Sequence, residues 1–208
     1  SFVCSNAGQG CIVNSRLLVP RSRYDEAIAI LEAVYRNIPY GDPSDMNNIM
    51  GPMISATQRK NVLSYIEKGK AEGARLVVGG GIPKDRLKGY YVEPTLFADV
   101  DNKMTIAQEE IFGPVLVVIP FDDDEDAIRI ANDSIYGLSG SVVSASFERA
   151  MHVARSVRTG SMNVNGAFFF SANAPFGGYK QSGIGRENGV IGFEEYLEIK
   201  TIAIPVAA

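Results

Sequence analysis

Val115-Leu116-Val117-Val118-Ile119-Pro120 leads through Asp122-Asp123-Asp124-Glu125 into Ala127-Ile128-Arg129-Ile130-Ala131. A short apolar run followed by apolar residues at helical spacing predicts a strand and then a helix. The acidic residues at the start of that helix suit the positive end of its dipole, and the run Asp122 to Asp126 needs no role beyond a solvated helix start.

Working outward, the same alternation recurs. Leu17-Leu18-Val19 predicts a strand before a helix over 24–35, and a second helix over 57–70 precedes a strand at Ala74-Arg75-Leu76-Val77-Val78, stopped by Gly79-Gly80-Gly81. A strand near 90–97 follows. Beyond the central unit come a strand over 140–143, a helix over 149–155 and a strand over 161–164. This order predicts an α/β fold, a mostly parallel sheet covered by helices on both faces. From Gly166 to Gly192 a loop rich in Gly, Ser, Asn and aromatic residues is too long to be only a connector. Ile199 to Val206 reads as a short C-terminal edge strand whose open side invites a partner.

Composition narrows the function classes. With 208 residues, 46% of them hydrophobic, the chain can bury a core without disulfides or metal. A net charge of −4 with scattered Lys and Arg disfavours nucleic acid. No apolar run approaches the roughly 20 residues of a membrane span, and no signal-peptide pattern opens the chain. Two cysteines, Cys4 and Cys11, predict free thiols in a reducing, cytoplasmic setting. His152 lies in an amphipathic helix without acidic, Cys or His residues at ligand spacing, so a structural histidine is expected and no metal site. The first residues look like the middle of an element, and the chain is expected to begin inside a longer protein.

Cys11 stands in Ser5-Asn6-Ala7-Gly8-Gln9-Gly10-Cys11. A working thiol nucleophile needs an approachable backbone, which Gly8 and Gly10 supply, and neighbouring N–H groups could face an oxyanion. On these residues alone, a buried, inert cysteine in a tight turn is equally open.

The order of four stretches separates these readings. Gly8-Gln9-Gly10-Cys11, Gln108-Glu109-Glu110-Ile111-Phe112-Gly113-Pro114, Asn132-Asp133-Ser134-Ile135-Tyr136-Gly137-Leu138 and Pro175-Phe176-Gly177-Gly178-Tyr179-Lys180-Gln181-Ser182-Gly183-Ile184-Gly185-Arg186-Glu187 together resemble the aldehyde dehydrogenase superfamily over essentially the whole chain. The resemblance implies a catalytic domain over 1–196 and an oligomerisation strand over 197–208. It implies Cys11 as the nucleophile of NAD(P)-dependent aldehyde oxidation, through a thiohemiacetal and a thioester on its sulfur. Glu110 would bind the nicotinamide ribose and Phe112 would pack near the nicotinamide; by residue type alone they read equally as a solvated carboxylate and a core ring. Ile12, Phe168, Phe170 and Phe176 would line the aldehyde site, although one of the three consecutive rings at 168–170 is expected in the core. Phe168 and Phe170, two apart, are the pair on a common face. Arg186 and Glu198 would belong to an ion-pair network near the interface of a homodimer or homotetramer.

The pattern also departs from a complete enzyme. The glutamate general base, the oxyanion-binding asparagine and the glycine-rich dinucleotide turn would lie before Ser1. Gly79-Gly80-Gly81 and Gly183-Ile184-Gly185 read as turns, since neither shows G-x-G-x-x-G between a strand and a helix. Cys4 and Val13 replace an aromatic and a small residue, which bears on the pocket's shape. The 208 residues alone are expected to show no NAD(P)-dependent turnover. A non-catalytic oligomerisation or scaffolding module, and a residual cysteine esterase, are the competing functions.

Overall fold

The computed structural model describes residues 3–85, 88–167 and 170–206. Its elements, in chain order, are β1 (Arg16–Pro20), α1 (Tyr24–Arg36), α2 (Ala56–Ala71), β2 (Arg75–Val78), β3 (Thr95–Ala98), α3 (Thr105–Gln108), β4 (Val115–Phe121), α4 (Asp124–Asn132), β5 (Ser139–Val142), α5 (Phe147–Ser156), β6 (Ser161–Val164) and α6 (Gly189–Glu194).

The central strand is β4. It pairs in parallel with β1, Leu17 opposite Val118, and with β3, Leu96 opposite Leu116. β2 closes the sheet antiparallel to β3, with an irregularity between Leu76 and Val78, giving the order β1-β4-β3-β2. Successive strand residues point to opposite faces, so the burial of every residue from Val115 to Ile119 means that both faces of β4 are covered. α1 packs on β1, β2 and β3, and α4 packs on β4. The architecture is α/β with a mostly parallel sheet, as the periodicity predicts.

Two boundaries differ from the sequence reading for identifiable reasons. The strand expected from Tyr90 begins only at Thr95, because Pro94 has no N–H to give a ladder. Tyr91 and Val92 are nevertheless buried, which is why their stretch has strand-like composition. The edge strand expected over 199–206 is not formed: these residues have no ladder partner, and Ile199, Ile202, Ile204 and Val206 lie 74–97% exposed. A strand exists only when its backbone is paired, and among the described residues that segment pairs with none.

β5 and β6 form a separate two-stranded parallel sheet, Gly140 opposite Met162. Two sets of contacts bind it to the larger body. Along one side, the Ser139 hydroxyl donates to the Ile12 carbonyl at 2.8 Å, and the Asn14 amide donates to the Ser141 hydroxyl at 3.0 Å. Across the surface, Asp124 on α4 takes both guanidinium arms of Arg149 on α5, which holds the Asp124 carboxyl below its usual range. His152 on the same helix meets Glu125 at 2.9 Å. The acidic run therefore does more than start a helix: Asp123 caps α4 by accepting from the Asp126 N–H, while Asp124 and Glu125 reach α5.

Beneath that surface lies a polar hub that no sequence pattern announces. The half-buried Arg16 donates to Asn102 Oδ1 at 2.7 Å and to the carbonyls of Ile130 and Ala131 at 3.1 and 3.0 Å, satisfying the end of α4. Burial lowers the Arg16 pKa, with the Asp133 carboxylate acting in the opposite direction. Asn102, one of two buried polar side chains among the described residues, donates to both the carbonyl and carboxylate of Asp133 at 2.9 Å. Removing Asn102 takes one acceptor from the Arg16 guanidinium and a donor from the Asp133 carboxylate in a largely buried place. Asn102→Leu is therefore expected to lower the unfolding free energy by about 2–4 kcal/mol in a urea titration.

Candidate functional site

The cysteine stretch begins with a tight 3-10 turn over Ser5–Gly8, in which Asn6 and Ala7 take left-handed conformations, φ 53° each. Gly8 follows at φ 71°, and a side-chain carbon there would stand 2.0 Å from the carbonyl oxygen of Gly113. Only glycine permits that backbone-to-backbone approach. Gly113 is pressed from its other side, where a Cβ would meet Val62 of α2 at 2.5 Å. The cysteine loop, the Glu110–Pro114 turn and the first half of α2 are thus stacked with no room for a methyl group at either glycine.

Cys11 emerges from this stack exposed, in a turn closed by the Val13 N–H donating to the Gly10 carbonyl at 3.1 Å. Among the described residues, the Cys11 and Ile12 N–H groups donate to no protein acceptor. Cys4 is its opposite. It is fully buried beside Tyr35, and loss of solvent pushes its thiol up to about 12 despite a hydrogen bond from the tyrosine. A neutral, buried thiol is inert; of the two cysteines, only Cys11 meets solvent.

Two glutamines brace the stack. Gln9 accepts from the Ile54 N–H at 2.9 Å and donates to the Pro52 carbonyl at 3.4 Å. Gln58 donates from one amide nitrogen to the carbonyls of Phe112, at 2.9 Å, and Ile111, at 3.2 Å. Phe112 is itself left-handed, φ 53°, and its ring is 39% exposed. Glu109 is held by the Tyr65 hydroxyl at 2.8 Å, whereas Glu110 is exposed and makes no hydrogen bond or ion pair among the described residues.

Ile12 is 38% exposed beside Cys11. Phe170 is exposed and meets the half-buried Phe176 edge to face, centroids 5.8 Å apart; Phe168 lies outside the described residues. Phe176 is held by a two-way bridge to Glu187, with N–H to carbonyl distances of 2.7 and 2.6 Å. The Arg186 guanidinium donates to the carbonyls of Gly178 and Gly185 at 2.9 and 2.8 Å and lies over the Tyr179 ring. Glu198 is exposed, and no ion pair between it and Arg186 is found among the described residues.

The third and fourth motifs are tied to each other. Lys180, left-handed at φ 54°, donates to the Asn132 and Ser134 carbonyls at 2.8 and 2.9 Å, and burial followed by the charges of Arg158 and Arg16 lowers its pKa. The Gly137 N–H reaches the Ser182 hydroxyl at 3.0 Å. The Gly137 carbonyl accepts from the Gly160 and Tyr179 N–H groups, which ties both stretches to the chain just before β6. Gln9, Gln58, Arg16, Asn102 and Lys180 escaped sequence reasoning as individual residues. For Gln58 one signal was present: Ser55-Ala56-Thr57-Gln58 has capping-box spacing.

A profile of the aldehyde dehydrogenase family matches residues 1–202. The chain belongs to the aldehyde dehydrogenase family. It is 50% identical over 198 residues to a Pseudomonas sp 3-succinoylsemialdehyde-pyridine dehydrogenase, and 48% over 201 residues to a betaine aldehyde dehydrogenase of Brucella melitensis. These alignments take in 95% and 96% of this chain but 41% of either relative. Among solved structures, a Mycobacterium tuberculosis aldehyde dehydrogenase complexed with NAD+ superposes with a TM-score of 0.93 at 52% identity, over 98% of this chain and 42% of that one. A cysteine-to-alanine mutant of Pseudomonas syringae aldehyde dehydrogenase C, complexed with NAD+ and octanal, gives 0.91 at 43% identity, over 95% and 41%. This member of the family thus spans about two fifths of the length of the relatives it matches.

Three outcomes follow from the geometry. Gly8→Ala should cost about 2–4 kcal/mol in urea unfolding, from left-handed strain plus the clash with Gly113. Gly73→Ala, left-handed at φ 95° but with nothing within 4 Å, should cost about 1–2 kcal/mol. In thiol counting with an aromatic disulfide at pH 8, one cysteine should react in the native chain and two after denaturation, with peptide mapping placing the first label on Cys11.

Proposed function

We propose that Cys11 is the nucleophile of an NAD+-dependent oxidation of an aldehyde to a carboxylic acid, performed by the protein that contains this chain. The observation that carries this reading is the stack at Gly8 and Gly113, which holds an exposed thiol loop against the turn bearing Glu110 and Phe112. The family and the names of its relatives support aldehydes as the substrate class, and the NAD+ held by the structural neighbours supports that cofactor.

The Cys11 thiolate adds to the carbonyl carbon, moving the carbonyl electron pair onto oxygen and giving a thiohemiacetal. Backbone N–H groups at Cys11 and Ile12 are suited to hold that oxygen. When bound, the dinucleotide supplies the acceptor for the hydride leaving the carbon. Glu110 would hold the nicotinamide ribose, since a free carboxylate accepts from a diol, and the exposed Phe112 ring would pack beside the nicotinamide and exclude water. What remains on Cys11 is a thioester, which water cleaves to the acid and the free thiol. The base for that step, and the rest of the dinucleotide site, fall to the part of the relatives that this chain does not match.

Ile12, Phe170 and Phe176 supply apolar surface for the aldehyde. The exposed segment 197–206, together with Arg186 and Glu198, forms the contact with further copies of the protein in a homodimer or homotetramer.

In the full-length protein, Cys11→Ser should reduce aldehyde oxidation by roughly 10³-fold or more with the circular dichroism spectrum unchanged; retained turnover would refute the assignment. Glu110→Gln should raise the KM for NAD+ about tenfold, as expected for weakening one charge-assisted hydrogen bond.

A further inference from the structure

Strand β5 carries two hydroxyls, Ser139 and Ser141, two positions apart and therefore on one face. Both meet the residues that follow the nucleophile. The Ser139 hydroxyl lies 2.8 Å from the Ile12 carbonyl and 3.0 Å from the Asn14 side-chain oxygen. It has one proton, shared between these two acceptors, with the Ile12 carbonyl the nearer. The Asn14 amide nitrogen donates to the Ser141 hydroxyl at 3.0 Å, so that one side chain spans both serines. β5 is a firm base for these contacts, since it is paired along its whole length with β6, from Ser139 opposite Ser161 to Val142 opposite Val164.

The turn over residues 10–13 has little packing of its own, with both Cys11 and Ile12 exposed. Its upstream end is fixed where Gly8 meets Gly113. At its downstream end the Ile12 carbonyl receives the Ser139 hydroxyl. We propose that Ser139 is a positioning residue for the Cys11 nucleophile, anchoring this end of the turn so that the Cys11 and Ile12 N–H groups stay aimed at the oxygen of the adduct. The proposal rests on the reading of Cys11 as nucleophile with those N–H groups as its oxyanion donors. Ser139 touches no reacting atom and acts through the Ile12 peptide. Oxyanion donors are effective only when they are already in place as charge develops, and an exposed turn depends on directional bonds to keep them there.

Two reactions of the same sulfur separate this role from a general structural one. With nitrophenyl acetate the thiolate adds to the carbonyl carbon, the carbonyl electron pair moves onto oxygen, and its return expels nitrophenolate and leaves the acetyl group on Cys11. With iodoacetamide the thiolate displaces iodide from a saturated carbon, and no oxyanion forms. Loss of the anchor slows the first reaction and spares the second.

The test uses the full-length protein with Ser139→Ala, which removes the hydroxyl at little change in volume, and Ser139→Thr, which keeps it. In Ser139→Ala the acylation burst with nitrophenyl acetate should slow about tenfold, while alkylation of Cys11 by iodoacetamide stays within about twofold of wild type. Hydrogen exchange of amides 10–13 should accelerate about tenfold. Ser139→Thr should restore acylation to within about threefold of wild type. An equal fall in acylation and alkylation, the mark of an altered thiol, would overturn the proposal. So would an unchanged burst, unchanged exchange at 10–13, or a threonine variant as slow as the alanine one. A wild-type protein whose Cys11 is alkylated but never acylated would refute the nucleophile reading and with it this role for Ser139, whereas the exchange measurement would still decide whether Ser139 anchors the turn.

Discussion

The approach of Gly8 to the Gly113 carbonyl is the constraint on which the site depends. Two backbone segments separated by about a hundred residues lie closer than any side chain allows, so the register between the cysteine loop and the Glu110–Phe112 turn has almost no freedom. Val62 presses on the far side of Gly113 from a position with no solvent exposure. Close-packed interiors transmit such constraints rather than absorbing them. The left-handed residues Asn6, Ala7 and Phe112 are consequences: the chain must turn sharply on both sides of the contact, and the strain is held by surrounding packing and hydrogen bonds.

A second layer of organisation is polar. Arg16, Asn102, Asp133, Gln108 and Lys180 join β1, α3, the end of α4 and the fourth motif through hydrogen bonds, most of them to backbone carbonyls. The hub lies where the four-stranded sheet gives way to the β5–β6 unit. Apolar packing alone would hold these bodies together without specifying their orientation. Directional bonds from Arg16 and Lys180 supply that specification.

Much of the fold was legible because its signals are local. β4 followed by α4 could be read from the apolar run and the acidic start, and Asp123 does cap that helix. The strand start after Pro94 was not read correctly, since it turns on a missing donor at one residue, and the tail over 199–206, read as a strand, pairs with none of the described residues. The site divides similarly. Cys11, Glu110 and Phe112 were singled out as candidates through ordered motifs. Gln58 was visible only as helix-capping chemistry, because the carbonyls that receive its amide lie more than fifty residues away.

By itself, the sequence determined the α/β alternation and the family, and it singled out Cys11 as a candidate, since these signals reside in residue types at short spacings. Tertiary structure alone decided that Cys4 is sealed and Cys11 open, that Glu109 is tied down while Glu110 stays available, and that a capping-box glutamine reaches the turn of Phe112. Burial and the direction of a hydrogen bond depend on what the rest of the chain brings alongside, and no local pattern carries that information.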